Sequence, residues 1–281
     1  MSISSASARD TRADGVPALY RDAAAGPGKL RRLGRLGHDD GRFLFVPMDH
    51  SISDGPIASV PKFRRIVTEV AAAGADAIVV HKGRAATIAD LPLGTCALIV
   101  HLSASTRNAP DADAKVLVGS VEDAVRLGAD GVSIHVNFGS ATESEQLRDF
   151  GDVATACATF GMPLLAMVYA RGPNVADPLD PVLLSHITNV AVDLGADIVK
   201  TSPPRLTDEL PAIVDNCAAH LVISGGPRAD DDDYGLIRLA EDAVAAGAAG
   251  LAVGRRVWAD PDPAGVVGAL TNVVHPARAH R

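Results

Sequence analysis

Cysteines, lysines and long apolar runs are scarce in this chain. The three cysteines, Cys96, Cys157 and Cys217, are widely spaced and form no C-x-x-C pair. This argues against a disulfide framework and against a zinc cluster held by cysteines. Every apolar stretch is interrupted well short of the roughly 18 residues that a membrane span needs, and the N-terminus lacks the apolar core of a signal peptide. These absences predict a cytoplasmic protein without a membrane segment.

Acidic residues outnumber basic ones, 34 to 26, which gives a formal net charge of −8. No run of lysine or arginine is long enough to bind a nucleic acid or another polyanion by general attraction. An anionic substrate must therefore be held by a local site.

One short pattern occurs four times along the chain. In each copy a helical stretch ends at a glycine, and an apolar run follows almost at once. The glycine is typical of a left-handed helix cap, and the apolar run is typical of a buried parallel strand. The copies lie about 50 to 70 residues apart, roughly two βα units, so further strands are expected between them. They are AAAGADAIVV from Ala71, VRLGADGVSI from Val125, VDLGADIVKT from Val192 and VAAGAAGLAV from Val244.

Eight segments in all have the composition of buried strands, and helical patterns separate most of them. The connection between the second and third segments is too short for a full helix. The alternation predicts a single-domain α/β fold, a (β/α)8 TIM barrel over residues 28–281, with an open α/β sheet as the alternative. Residues 1–27 are expected to form a mobile leader, and residues 29–36 a helix that closes the bottom of the barrel. The predicted strands are 43–49, 77–83, 97–103, 131–137, 163–169, 198–203, 220–226 and 250–256.

Lys200 lies at the C-terminal end of the sixth predicted strand, directly after Ile198 and Val199. Active sites of TIM barrels lie at this end of the strands. An apolar environment disfavours the charged ammonium, and a neutral amine can attack a ketone to form a Schiff base. The alternative is a structural lysine paired with a carboxylate.

Asp49 and Tyr169 end the first and fifth predicted strands, so they share the barrel mouth with Lys200. A carboxylate or a phenol there can move protons to and from a carbinolamine. The alternative for Asp49 is a helix cap or an ion pair with Lys82, which ends the second strand. The alternative for Tyr169 is packing against a loop.

Glycines and an arginine end the last two strands, as Gly225-Gly226 and Gly254-Arg255. These turns expose backbone N–H groups, and the two final loops of TIM barrels recurrently bind phosphate. The pattern predicts a phosphorylated substrate, although a glycine pair alone is often just a turn.

Four histidines on consecutive strands offer a rival chemistry, because imidazoles on neighbouring strands can hold a zinc ion. If Asp49 and Lys82 both point into the barrel, however, period-two alternation turns some of these histidines outward. We therefore expect no metal and no other cofactor, and hydrogen-bonded histidines instead. The four are His50, His81, His101 and His135.

Eight motifs are specific enough to indicate a family, and the resemblance runs from about residue 28 to 274. They are, in order, VPMDHSISDGP, VVHKG, LIVHLSAST, VSIHVNFGS, MPLLAMVYARG, GADIVKTS, VISGGP and AGLAVGR. With these motifs the chain closely resembles the archaeal-type class I aldolase family. That family contains fructose-bisphosphate aldolases and synthases that join a phosphorylated ketone to an aldehyde.

The resemblance implies that Lys200 forms the Schiff base and that Asp49 and Tyr169 act as acid and base. It also implies a homo-oligomer, often a decamer. The residues that it places around the substrate and its phosphate are Gly225, Gly226, Gly254, Arg255, Arg171, His50 and Ser53.

The substrates depend on the branch of the family. HVNFGS and AMVYARGP are similar to the synthase branch. That branch joins a keto phosphate to aspartate semialdehyde, and Ser51, where the family usually has glycine, favours dihydroxyacetone phosphate as the donor. The implied product is 2-amino-4,5-dihydroxy-6-oxo-7-(phosphonooxy)heptanoate, a precursor of 3-amino-4-hydroxybenzoate. Candidates for contacts with the acceptor are Arg171, Arg205, Asp54 and Asn137.

Three alternatives stay open. The first is a transaldolase-type synthesis of 2-amino-3,7-dideoxy-D-threo-hept-6-ulosonate. The second is cleavage of fructose bisphosphate, and the third is a sugar-phosphate-binding barrel without activity. Pro203-Pro204-Arg205, which replaces a Tyr-Thr-Gly segment usual in the family, lies close to Lys200 and leaves the substrate choice open.

Overall fold

The computed structural model describes residues 26–37, 40–226 and 235–276. Eight parallel strands close into a barrel in which neighbouring strands follow one another in chain order. The predicted TIM barrel is therefore confirmed and the open sheet is wrong, because the first strand pairs with the last, with Phe43 opposite Gly250.

All eight predicted strands are present, and most end two or more residues earlier than expected. Two short strands, β4 and β5, form an antiparallel hairpin beside the barrel that the sequence pattern did not predict. The strands are β1 (Phe43–Pro47), β2 (Ala77–His81), β3 (Ala97–His101), β4 (Ser103–Ala104), β5 (Val116–Leu117), β6 (Gly131–Phe138), β7 (Leu164–Ala170), β8 (Ile198–Thr201), β9 (His220–Ser224) and β10 (Gly250–Ala252).

Helices connect the strands on the outside of the barrel, and the connection between β2 and β3 is short, as predicted. The helices are α1 (Pro27–Gly37), α2 (Val60–Ala72), α3 (Lys82–Thr87), α4 (Val121–Arg126), α5 (Glu143–Phe160), α6 (Pro181–Asp193), α7 (Leu210–Asn216), α8 (Gly235–Ala245), α9 (Arg255–Trp258) and α10 (Pro263–Val274), with a 3-10 helix at Thr207–Glu209. The repeated glycines have the expected positive φ: Gly74 104°, Gly128 73°, Gly195 95° and Gly247 89°.

Apolar side chains fill both faces of the strands. One set, including Phe45, Val79 and Ile99, fills the barrel interior. The other, including Val46, Ile78 and Val100, packs under the helices. Burial on both faces explains why the strands are continuous apolar runs rather than alternating patterns.

The aspartates of the repeated Gly-Ala-Asp motif tie neighbouring strands together at the bottom of the barrel. Each carboxylate accepts a backbone N–H from the preceding barrel strand, a role that the sequence pattern did not predict. The three contacts join Asp76 to Leu44 at 2.6 Å, Asp130 to Leu98 at 3.2 Å and Asp197 to Leu164 at 2.8 Å. The fourth copy has Ala249 at this position.

A basic side chain neutralises each of these carboxylates, and two of the three come from α1. Lys29 binds Asp197 at 2.9 Å, and Arg35 binds Asp130 at 2.6 Å. Leu33 and Leu36 of the same helix pack against the barrel interior. The helix therefore closes the bottom of the barrel, as predicted.

His275 is the third basic partner, and it is fully buried just after α10. Its Nε2 lies 2.8 Å from Asp76 and its Nδ1 lies 2.6 Å from Asp40. Burial by itself lowers the pKa of His275, but the hydrogen bonds to Asp40 and Asp76 outweigh burial and raise the pKa above 6.5. The imidazolium therefore links the end of α10 to β1 and β2.

Several predictions lie beyond what the described residues test. The leader predicted at 1–27 falls outside them except for its last two residues, and Pro27 already begins α1. In the described ranges no helix combines the length and apolarity needed to cross a bilayer. The three cysteines are free thiols. The cytoplasmic location and the homo-oligomer stay predictions.

We expect His275→Gln to destabilise the protein by roughly 1–3 kcal/mol, because it removes a buried charged hydrogen-bond donor. A group whose pKa is higher in the folded than in the unfolded protein stabilises the fold at pH values below its unfolded-state pKa. This contribution disappears as the pH rises through the folded-state pKa. The loss in the midpoint of urea unfolding should therefore be larger near pH 6 than near pH 9.

The matched control is Arg35→Gln, which breaks an ion pair whose arginine is more than half exposed. Such pairs contribute about 0–1 kcal/mol. An equal loss for His275→Gln at both pH values would show that the imidazole is neutral in the folded protein.

Candidate active site

Alternate residues of the strands build one polar layer above the apolar interior of the barrel. The alternation that turns Phe45 and Val79 inward also turns the polar residues at the strand ends inward. These residues line a cavity of about 250 Å³, close to the lower end of the range for small-molecule pockets. They are Asp49, His81, His101, His135, Tyr169 and Lys200.

Lys200 is the next-to-last residue of β8, between Met167 on β7 and Val222 on β9. Only 5% of the residue is exposed, although it lines the cavity. In the described segments its ammonium forms no ion pair, so the alternative of a structural lysine paired with a carboxylate is not supported. A buried amine that is open to a cavity is the arrangement that attack on a ketone requires.

Asp49 faces Lys200 across the cavity and is surrounded by imidazoles. Its Oδ1 lies 3.4 Å from His50 Nδ1, and its Oδ2 lies 3.7 Å from His101 Nε2. Burial raises the pKa of Asp49, but His101, His50 and Lys200, which are all charged at the acid pH where this carboxyl titrates, outweigh burial and hold its pKa below the usual range. The buried Oδ1 accepts no hydrogen bond from the described residues.

Lys82 does not reach the site, so the expectation that it points inward is wrong. It begins α3, and its Nζ binds Asp123 at 3.1 Å on the surface. Its position is one residue out of phase with the inward-facing His81. All four candidate histidines line the cavity, so the expectation that some of them point outward is also wrong.

Three of the four histidines are hydrogen-bonded, as expected, whereas the buried Nδ1 of His50 has no hydrogen-bond partner among the described residues. His81 Nδ1 lies 3.1 Å from the carbonyl of His101, whose own Nδ1 lies 2.8 Å from Ser133 Oγ. His135 Nε2 lies 2.7 Å from Asn137 Oδ1. Burial lowers the pKa of all three, and that of His101 falls to about 4. These imidazoles are therefore neutral near pH 7.

Asp49, His81 and His101 could also hold a metal ion. Their ligand atoms lie within 4.8 Å of one another, the one such group found in the part of the chain that the structure describes. The two histidines each commit one ring nitrogen to a hydrogen bond, as metal-binding histidines commonly do. A chelator is therefore a necessary control for any assay of this site.

Tyr169 stands on the strand next to that of Lys200, as predicted. It is two residues beyond Met167, the register partner of Lys200, so its ring lies above Lys200 on the inner face. The ring centroid is 4.9 Å from that of His135, and the guanidinium carbon of Arg171 lies 4.6 Å from it. These contacts orient the phenol towards the cavity.

The predicted phosphate-binding residues gather at the ends of β9 and β10. Arg255 lines the cavity, and Gly254 precedes it. A Cβ on Gly254 would lie 2.4 Å from the carbonyl oxygen of Pro47, so only glycine fits there. Gly226 has a φ of 64°, and Arg256 donates to the carbonyl of Gly225 at 3.3 Å. His50 and Ser53, from the loop after β1, also line the cavity.

Two candidates for acceptor contacts lie elsewhere. Arg205 is exposed and binds Asp177 at 3.0 Å, and it is not part of the cavity wall. Asn137 is fully buried, and its Nδ2 donates to the carbonyl of Asp113 at 2.9 Å. Asn137 is therefore a positioning residue.

Sequence reasoning missed Lys115, which lines the cavity from the loop before β5. Two signals were available: lysine is rare in this chain, and a short apolar run follows Lys115 directly. Neither indicates where a long loop folds.

A (β/α)8 barrel with a buried lysine, a carboxylate and a tyrosine at its mouth defines an enzyme of the class I aldolase type. The DeoC/LacD family aldolase profile matches residues 43–260. The chain therefore belongs to the DeoC/LacD aldolase family.

Three relatives support this assignment. A Streptomyces griseus protein named 2-amino-4,5-dihydroxy-6-oxo-7-(phosphonooxy)heptanoate synthase is 45% identical, over 87% of this chain and 89% of that protein. A Halobacterium salinarum 2-amino-3,7-dideoxy-D-threo-hept-6-ulosonate synthase is 41% identical, over 88% and 92%. An archaeal fructose-1,6-bisphosphate aldolase, solved with its catalytic lysine bound to the carbinolamine intermediate, is 26% identical with a TM-score of 0.79, over 88% and 99%.

We expect the ring of His101 to stay neutral down to about pH 5, because burial lowers its pKa to about 4. Side-chain ¹⁵N NMR of histidine-labelled protein, assigned with His101→Gln, measures this directly. Asp49→Asn should lower the pKa of His101 further, because the Asp49 carboxylate raises it. A midpoint near 6.5 would contradict the proposed charge state of the site.

Proposed function

We propose that this protein is a Schiff-base aldolase that joins dihydroxyacetone phosphate to L-aspartate 4-semialdehyde. The product is 2-amino-4,5-dihydroxy-6-oxo-7-(phosphonooxy)heptanoate. The observation that carries the chemistry is the buried Lys200, which forms no ion pair in the described segments and opens into the cavity. The substrates are supported by the Streptomyces griseus relative, the more similar of the two synthases described above.

In the proposed reaction the donor phosphate binds beside Arg255, and the donor carbonyl carbon lies against Lys200. The neutral amine adds to the carbonyl to give a carbinolamine, and loss of water gives an iminium cation. The ionised Asp49 stabilises this cation and moves protons to and from the carbinolamine oxygen. The iminium then withdraws electrons from the neighbouring hydroxymethyl carbon.

Tyr169 is the proposed base for the next step. It removes a proton from that carbon, and the resulting enamine attacks the aldehyde carbon of the acceptor, so that one carbon–carbon bond forms. The aldehyde oxygen takes up a proton and becomes a hydroxyl. Water then hydrolyses the new iminium and releases the product from Lys200, with no net oxidation or reduction.

Two alternatives keep Lys200 and change its substrates. The first is transaldol transfer, which would give 2-amino-3,7-dideoxy-D-threo-hept-6-ulosonate, the product in the name of the Halobacterium salinarum relative. The second is cleavage of fructose bisphosphate, the substrate in the name of the archaeal aldolase. Mass analysis of the products formed from each donor and acceptor distinguishes these reactions. A catalytically silent barrel would form none of them.

The first test is reductive trapping. Borohydride added with dihydroxyacetone phosphate should leave a stable adduct on Lys200, located by peptide mass mapping, and Lys200→Met should abolish both the adduct and the condensation. The matched control is Lys82→Met, the same substitution at a surface lysine bound to Asp123, which should leave both unchanged.

The trapping is repeated with a chelator and with aspartate semialdehyde. An adduct with the semialdehyde consumed supports the whole proposal, whereas an adduct without consumption overturns the assigned acceptor. No adduct, together with activity abolished by the chelator, would replace Lys200 by a metal held at Asp49, His81 and His101.

Tyr169→Phe separates Schiff-base formation from the later proton transfer. The variant should still form the borohydride adduct, because Lys200 and Arg255 are intact. Its rate of condensation should fall by about 10²- to 10⁴-fold, the usual contribution of a general base. Exchange of the donor's hydroxymethyl proton with deuterated water should fall in parallel, and unchanged exchange would assign the base to another residue.

A further inference from the structure

Two cations stand together at one end of the cavity. Lys115 and Arg171 both line it, and in the described segments neither forms an ion pair with a carboxylate. The positive charge of Arg171 lowers the pKa of Lys115 across this shared cavity. Partly buried like charges repel, and each lacks the anion that would offset its lost hydration. An anionic ligand at this end would relieve both costs.

The end that holds these cations lies opposite the predicted phosphate site. Arg255 follows β10, and β6 is four strands away from β10 in either direction around the closed barrel. Lys115 lies on the loop between β3 and β6, and Arg171 directly follows β7. Lys115 and Arg171 therefore flank β6. Lys200 and Asp49 lie between this pair of cations and Arg255.

Lys115 and the loop that carries it are held in place by partly buried hydrogen bonds. The carbonyl of Asp113 accepts from Asn137 Nδ2 at 2.9 Å and from Gln146 Nε2 at 2.8 Å. The Nζ of Lys115 donates to Ser105 Oγ at 2.5 Å. The hairpin of β4 and β5 fixes the chain on both sides of this loop. A surface lysine without a ligand would need no such support.

The electrostatic environment agrees with this geometry. Burial lowers the pKa of Lys115, and the positive charge of Arg171 lowers it further. The carboxylates of Asp113, Asp49 and Asp54 oppose this effect without forming an ion pair with Lys115. Binding of an anion between Lys115 and Arg171 would restore the charged form of the lysine.

We propose that Lys115 and Arg171 bind the α-carboxylate of the acceptor aldehyde. This inference rests on the function proposed above and deepens it, because it assigns the specificity for an amino-acid acceptor to named residues. Asp54 and Asp113 line the same cavity and can accept hydrogen bonds from an α-ammonium group. A phosphorylated acceptor has no such cation to place beside these carboxylates.

The product of the proposed reaction fits this arrangement. It carries a carboxylate at one end of a seven-carbon chain and a phosphate at the other. With the carboxylate at Lys115 and the phosphate at Arg255, the bond-forming carbons fall near Lys200 in the centre of the cavity. The two anion sites thus define both the direction and the register of the substrates.

The test is Lys115→Met, assayed with aspartate semialdehyde and with propanal, an acceptor that has no carboxylate. The KM for aspartate semialdehyde should rise about 10- to 100-fold, the effect of losing one charged hydrogen bond, while kcat changes less. The KM for propanal should not change. Lys115→Arg, which keeps the charge, should restore most of the affinity, and Lys82→Met should behave like the unaltered protein.

Borohydride trapping of dihydroxyacetone phosphate, measured in every variant, separates the two proposals. If Lys115→Met traps the donor normally and loses affinity for aspartate semialdehyde alone, the inference is supported. If it traps the donor and keeps its KM for the semialdehyde, the inference is overturned while the proposed function stands. If the unaltered protein traps no donor, the proposed function itself fails.

Discussion

Closure of the barrel is the constraint on which the rest of this structure depends. Once β1 pairs with β10, every strand has one face towards the interior, and alternate residues must fill it. The apolar members of this series, such as Phe45 and Ile99, form the inner core. The last inward-facing position of a strand lies above that core, where a polar side chain reaches the cavity. Lys200 and His101 occupy such positions, and neither can turn outward without a shift of its strand.

Charged side chains differ in their pairing at the two ends of the barrel. At the bottom, the three motif aspartates accept a strand N–H and bind a basic side chain, so their charges are compensated. At the top, Lys200, Lys115 and Arg171 have no carboxylate partner in the described segments, and Asp49 keeps an oxygen without a hydrogen bond. Uncompensated charge lowers the stability of the fold. A ligand that supplies the missing partners removes this cost, and the free energy gained favours binding. The bottom of the barrel is built for stability and the top for binding.

Neutral histidines make this arrangement workable around Asp49. Three imidazoles surround the carboxylate, and burial lowers the pKa of each. If they were protonated near pH 7, the cavity would hold several more positive charges beside Lys200 and would disfavour an iminium cation there. As neutral groups they can orient Asp49 and exclude bulk water, while the ionised carboxylate remains the counter-charge for the cation that the proposed mechanism forms.

The sequence by itself determined the eight strands, their separating helices, the four glycine caps and the positions of Lys200, Asp49 and Tyr169 at strand ends. It could do so because these features repeat with a regular period, and because inward-facing residues follow the two-residue period of a strand. Tertiary structure determined the features that no repeating pattern in the sequence predicts. β2 ends two residues earlier than its apolar run suggested, so that His81 faces inward and Lys82 begins α3 and faces outward. The loop between β3 and β6 has no repeating pattern, so only its contacts with Asn137 and Gln146 place Lys115 in the cavity. The partners of the motif aspartates come from α1 and from His275, and only closure of the barrel brings these distant parts of the chain together.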